Sequence, residues 1–143
     1  MLLKIRFHGR GGHGVKTAAR IVGTGAFVAG YHAQDAPIYG AERRGAAVAA
    51  FVRISDEPIL ERGPIAAPNL IALADETLLQ DASSDVLRGQ QEAAAIFINS
   101  QEAQPLSVAF DIHPPVISFD VSGLTREVLG TARPTPAGDA GRI

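Results

Sequence analysis

Two short stretches hold most of the residues that could do chemistry. The first is Gly9-Arg10-Gly11-Gly12-His13-Gly14, in which Gly9, Gly11 and Gly14 fit a G-x-G-x-x-G pattern. Glycines so spaced let the backbone approach an anion, and the N–H groups opening a following helix point toward it. Arg10 would add positive charge at a phosphate. His13 could hydrogen-bond a ligand or a neighbouring subunit. Lys16 would lie in the first helical turn, a poor place for a cation unless an anion is bound there. The alternative is that the glycines serve packing, letting a helix lie close to a strand.

The second stretch is Tyr39-Gly40-Ala41-Glu42-Arg43-Arg44-Gly45. Arg43 and Arg44 can make bidentate bonds to carboxylate or phosphate, and Glu42 could orient one of them. A loop of this composition is costly to order unless it contacts something. The alternative is an exposed charged turn. Asp35 lies about 20 residues past the glycine loop, where a dinucleotide-binding domain keeps the carboxylate for its ribose. Ala36-Pro37 follows it and reads as a loop rather than a strand end. Asn99 and Ser100 close a short apolar run and are candidates to line the same crevice. Asp111 and His113 read as a surface loop. No acid/base pair, nucleophile or metal-ligand cluster stands out, so no catalytic residue and no metal site is expected.

These residues need elements to position them. Leu3, Ile5 and Phe7 alternate with Lys4 and Arg6, so Leu2 to Phe7 predicts a strand. Val15 to Ala29 predicts a helix, weakened by Gly23 and Gly25 at roughly 1 kcal/mol each and stopped by Gly30. Further strands are expected over Tyr31–Gln34, Ala46–Ile54, Asn69–Ala74, Ala94–Ile98 and Val116–Phe119. Asp75 caps a helix over Glu76–Gln80. Asp81 to Gln91 reads as polar and irregular, and Gln101 to Pro115 as interrupted by proline. Ser122 is the expected cap of a helix from Gly123 to Leu129 that closes with Gly130. Alternating strands and helices predict a three-layer α/β domain with a largely parallel or mixed sheet and a glycine-rich strand-to-helix loop. Ligands in such sheets sit beyond the carboxyl ends of the strands, where the glycine loop lies.

The chain has 143 residues, 46% hydrophobic and 20% charged, which fits one globular domain. We expect that domain over residues 1–130, with 131–143 a flexible tail rich in Pro, Gly, Ala and Thr. A net charge of -2 argues against a nucleic-acid partner. With no Cys, the chain can form no disulfide, thiolate nucleophile or thiolate-held iron–sulfur cluster. No apolar run is long enough to span a membrane, and the N-terminus lacks a signal-peptide layout, so a cytoplasmic protein is expected.

The run Phe7-His8-Gly9-Arg10-Gly11-Gly12-His13-Gly14-Val15, followed by Tyr39-Gly40-Ala41-Glu42-Arg43-Arg44-Gly45, resembles the gamma subunit of the 2-oxoacid:ferredoxin oxidoreductases (pyruvate, 2-oxoisovalerate, phenylglyoxylate and relatives). Both motifs occur there in this order, and the likeness extends through Val52-Arg53-Ile54-Ser55-Asp56-Glu57-Pro58-Ile59 and the step to Asn99-Ser100. The resemblance implies a complex that oxidatively decarboxylates a 2-oxoacid with thiamine diphosphate. Electrons pass through iron–sulfur clusters to ferredoxin or another acceptor, and the product is an acyl-CoA. Thiamine diphosphate and the clusters would belong to partner subunits of alpha, beta and delta type. The gamma unit would pack on them and help hold CoA. On this reading Gly9, Gly11, Gly12 and Gly14 offer backbone donors to CoA phosphates, and Arg10, Arg43 and Arg44 offer charge. Tyr39 and Glu42 shape the loop at the interface, with His13 beside them. Family members usually continue further, and often carry Gln where His13 stands. Two other readings stay open: a stand-alone NAD-binding oxidoreductase that uses Asp35, and a purely structural assembly subunit.

Overall fold

The alternation that predicts the first strand continues past Phe7, so β1 runs Leu2–Arg10 and takes in Gly9 and Arg10. The computed structural model describes residues 1–37, 45–101 and 104–130. The remaining elements are α1 (Val15–Val28), β2 (His32–Pro37), β3 (Ala47–Ser55), β4 (Leu70–Leu73), β5 (Ala95–Ile98), α2 (Gln104–Ala109), β6 (Val116–Ser118) and α3 (Val121–Leu129). Short 3-10 turns at Glu76–Gln80, Ala82–Ser84 and Gln90–Glu92 carry the stretch that reads as irregular. Asp75 caps the first of them, accepting a hydrogen bond from the Thr77 N–H. The short helix α2 falls in the region expected to be broken by proline.

The six strands form one mixed sheet in the order β2-β3-β1-β4-β5-β6. The run β1, β4, β5, β6 is parallel, while β3 is antiparallel to both β1 and β2. Strand alternation sorts the core onto two faces. On one, Ile5, Ala50, Val52 and Ile54 pack with Val15 and Ala19 of α1. On the other, Ile71, Leu73, Ile96 and Ile98 pack with Leu78 and Val86 of the 3-10 region and with Leu106 of α2. Helical segments therefore flank the sheet on both sides.

β1 is a central strand, and this changes the meaning of its charged face. Arg6, expected to alternate outward, is only 4% exposed. Its guanidinium donates to the carbonyls of Ile65 (3.2 Å), Val86 (2.8 Å) and Arg88 (2.6 Å). A buried guanidinium with five fixed donors can satisfy carbonyls that have no helix or ladder partner. That is how the irregular stretch is fastened to the sheet. Arg53 is 2% exposed and does the same for Gly63, at 2.9 Å.

Candidate functional site

The carboxyl ends of the parallel strands all emerge on one edge of the sheet, where β1 runs into the glycine loop. His13 N–H closes a turn onto the Arg10 carbonyl at 2.9 Å. Gly12 and Gly14 adopt left-handed conformations, with φ of +93° and +74°, that an L side chain rarely takes. Gly14 is also the N-cap of α1. Gly9 plays a different part, since a Cβ there would collide with the Val15 side chain and its absence lets α1 lie against β1. Gly11 is engaged as well, its N–H bonded to the Ala46 carbonyl at 2.8 Å. The N–H groups of Gly12, Gly14 and Val15 have no backbone acceptor among the described residues.

Gly12 and Val15 line a cleft of about 700 Å³. Its floor is a register row: Phe7 pairs with Ala72, Ala72 with Phe97, and Phe97 with Ile117 across four parallel strands. Val15 and Ala18 of α1 form one wall, and Val121, Ser122, Thr125 and Arg126 of α3 the other. Gly12 and His13 stand at its head. His13 Nε2 is buried with no hydrogen-bond partner. Phe97 and Ile117 stay 42% and 47% exposed, since α1 covers β1 to β3 and leaves the other strands open on that face.

Asn99 lines the cleft, but its amide is already engaged. Nδ2 donates to the Ala74 carbonyl (3.1 Å) and to Ser122 Oγ (3.2 Å), and Oδ1 accepts the Val121 N–H at 3.0 Å. Asn99 therefore ties the ends of β4 and β5 to the start of α3. Ser122 receives that bond instead of capping α3; the cap is Asp120, whose carboxylate accepts the Gly123 N–H at 2.6 Å. Ser100 follows Asn99 but does not line the cleft. Arg10 does not reach it either, because its guanidinium is bound to Asp75 (2.9 Å), Thr77 (2.8 Å) and the Gly45 carbonyl (3.2 Å). Tyr39, Glu42, Arg43 and Arg44 lie outside the described residues, as does the tail expected over 131–143. Gly45, the last residue of that motif, is described, and its N–H bonds the Gly11 carbonyl at 3.3 Å. Gly45 thus meets the glycine loop at this edge. Asp111 and His113 approach within 3.5 Å on the exposed surface, in keeping with a surface loop.

Sequence reasoning does not single out Ser122, Thr125 or Arg126 as site residues. Their spacing puts all three on one side of a helix. The sequence does not show that this side faces the glycine loop; only the parallel order of β4, β5 and β6 brings it there.

Asp35 is a strand residue, paired with Val52, where the sequence suggests a loop. It lies beside Gly23, eight residues into α1, and so about 12 Å along the axis from the helix start. Moreover, β3 separates β2 from β1 and runs antiparallel to both. A dinucleotide fold needs the ribose carboxylate at the carboxyl end of a parallel strand beside the glycine strand. This topology offers no such place, so the NAD reading loses its structural basis.

The class that results is a mixed-sheet α/β domain with a glycine loop and an apolar cleft at the carboxyl edge of its parallel strands. The family model described as pyruvate ferredoxin/flavodoxin oxidoreductase matches residues 4–137, and the chain belongs to that family. It is 36% identical over 131 residues to the pyruvate/ketoisovalerate oxidoreductases common subunit gamma of Thermococcus kodakarensis, covering 90% of this chain and 70% of that one. It is 39% identical over 129 residues to the pyruvate synthase subunit PorC of Methanocaldococcus jannaschii, covering 90% and 68%. Among solved structures it is similar to the pyruvate oxidoreductase subunit PORC of Thermotoga maritima. The TM-score there is 0.79 at 28% identity, over 94% of this chain and 70% of that one.

Proposed function

We propose that this chain acts as the gamma subunit of a 2-oxoacid:acceptor oxidoreductase complex, as a non-catalytic partner that helps hold CoA. One observation carries the CoA part of this reading. Gly45, the residue after the Tyr39–Arg44 stretch, is clasped to Gly11, the neighbour of Gly12 at the head of the cleft. Open backbone donors at the α1 N-terminus border this opening, and Arg43 and Arg44 stand two and one residues before Gly45 in the sequence. That combination suits a ligand with both phosphates and an apolar arm. CoA supplies the thiol that takes the acyl group. In this chain Gly12, Gly14 and Val15 would bind its phosphates through N–H groups, Arg43 and Arg44 would balance their charge, and Arg126 would face them from α3. The apolar row from Phe7 to Ile117 would exclude water from the arm.

Iron–sulfur clusters do not fit this chain, which has no Cys. On this reading they reside with thiamine diphosphate on partner subunits of alpha, beta and delta type, and ferredoxin or another acceptor receives the electrons there. Among the described residues no helix is long and apolar enough to cross a membrane. Within that limit, we place the complex in the cytoplasm.

The test is steady-state kinetics on the assembled complex carrying Arg43→Ala, Arg44→Ala or Arg126→Ala. Each is expected to raise KM for CoA about tenfold, the scale of one lost charge-assisted contact, with kcat within about twofold. Unchanged KM in all three, with weakened co-purification of the partners, would instead favour a purely structural subunit. The open apolar face over β4 to β6 is the observation on that side.

A further inference from the structure

Arg10 belongs to the glycine motif, yet its side chain leaves the cleft. The alternation of β1 sends Arg6, His8 and Arg10 to the face opposite Phe7 and Gly9. There one guanidinium meets three elements. Nε donates to Asp75 Oδ2 at 2.9 Å, beyond the end of β4, and Nη2 to Thr77 Oγ1 at 2.8 Å. Nη1 donates to the Gly45 carbonyl at 3.2 Å, at the start of the path into β3. The Arg10 and Asp75 side chains are 22% and 14% exposed, so water screens the pair little.

Asp75 is built for this contact. Its Oδ1 accepts the Thr77 N–H (2.9 Å) and hydroxyl (2.6 Å), leaving Oδ2 to Arg10. Burial opposes its ionisation, but the bonds from Thr77 and the adjacent Arg10 charge prevail and hold its carboxyl below the usual range. Gly45 is fixed from its other side too. Its φ is +82°, its N–H bonds the Gly11 carbonyl, and the Gly11 N–H bonds the Ala46 carbonyl.

We infer that Arg10, Asp75 and Thr77 form a latch that fixes Gly45, and with it the path into β3, against the glycine loop. Arg10 is then a positioning residue and contacts no ligand. Its planar fork reaches the three acceptors at once, which a lysine ammonium on a flexible stem does not reproduce. The latch stands on hydrogen bonds alone; its consequence for ligand affinity rests on the CoA reading.

Hydrogen exchange on the full chain tests it. Arg10→Ala and Asp75→Ala should each speed exchange of the Gly11 and Gly45 amides at least fivefold, with β5 amides unchanged. The double variant should be no faster than either single one, and Arg10→Lys should not restore protection. Unchanged exchange at both amides in both variants overturns the latch. CoA KM in the assembled complex gives a second, signed readout. A latch predicts that Asp75→Ala raises KM as Arg10→Ala does. A guanidinium that binds phosphate predicts the reverse for Asp75→Ala, which would free it, and that result also overturns the proposal. Faster exchange with CoA KM unmoved by Arg43→Ala and Arg44→Ala supports the latch and removes the CoA reading instead.

Discussion

His8 is 5% exposed, and its Nε2 has no hydrogen-bond partner. Burial, and secondarily the Arg6 charge, push its pKa down to about 3. The unfolded chain takes up this proton near pH 6.5, while the folded chain refuses it until about pH 3. Between those values the unfolded state binds more protons, so stability is complete above about pH 6.5 and falls as the pH is lowered. The slope is about 1.4 kcal/mol per pH unit. Urea unfolding at a series of pH values should show this decline, and His8→Phe should flatten it. A decline unaffected by His8→Phe would place the sensitivity elsewhere. The same residue shows a limit of sequence reading. The pattern Lys4, Arg6 gives β1 a polar face, and nothing local says that β3 and β4 will flank it and bury Arg6 and His8. Arg10 is misread for the same reason. Its place among glycines suggests a phosphate, but strand parity carries it to Asp75 on the other face.

At the scale of elements, α1 and β1 pose a contrast between glycines. Gly9 leaves no room for a Cβ beside Val15 and Ala74, while a Cβ at Gly25 meets nothing within 4 Å. Gly9→Ala should cost about 1–3 kcal/mol through overpacking, whereas Gly25→Ala should stabilise by about 1 kcal/mol through helix propensity. Thermal denaturation of the two variants checks both signs. Elements with a strong pattern are readable: β1, α1, β3 and the Asp75 cap all follow from periodicity or capping chemistry. Three are not. β2 extends to Pro37 because β3 supplies a partner for Asp35 and Ala36, a tertiary effect on a polar sequence. α2 forms because Leu106 and Phe110 pack on the core, despite the prolines around it. The start of α3 shifts to Asp120 because Asn99 holds Ser122. At the site, the glycine loop and Asn99 are legible as backbone and strand-end features. The α3 wall is not, since it depends on strand order.

For the whole molecule, the uneven cover of the sheet matters most. α1 shields β1 to β3, while Phe97, Ile117 and Phe119 stay 42%, 47% and 59% exposed on the same side. Along α1 itself Ile21, Phe27 and Val28 are 65%, 71% and 79% exposed. Apolar surface of this extent marks an interface more often than a free surface. The isolated full chain should therefore enhance the fluorescence of a hydrophobic dye such as ANS. Phe97→Ser with Ile117→Thr should remove most of that signal with little change in melting temperature, because both side chains are already partly in water. A signal unaltered by the pair would mean that the dye binds elsewhere.

The central position of β1 also matters while the chain is being made. β1 leaves the ribosome before either neighbour: its partners in β3 lie 37 residues on at Arg10–Ala47 and 53 at Leu2–Ser55, and those in β4 lie 65 on at Ile5–Leu70. At 5–20 residues per second, both edges of an apolar strand stay unpaired for roughly 2–11 s, until β3 arrives. Lys4 and Arg6 then act before they have any native partner, as charges that discourage edge-to-edge pairing with other nascent chains. Arg6 would then serve twice: first as a charge on the emerging strand, and later, withdrawn from water, as the fastening of the Ile65–Arg88 segment.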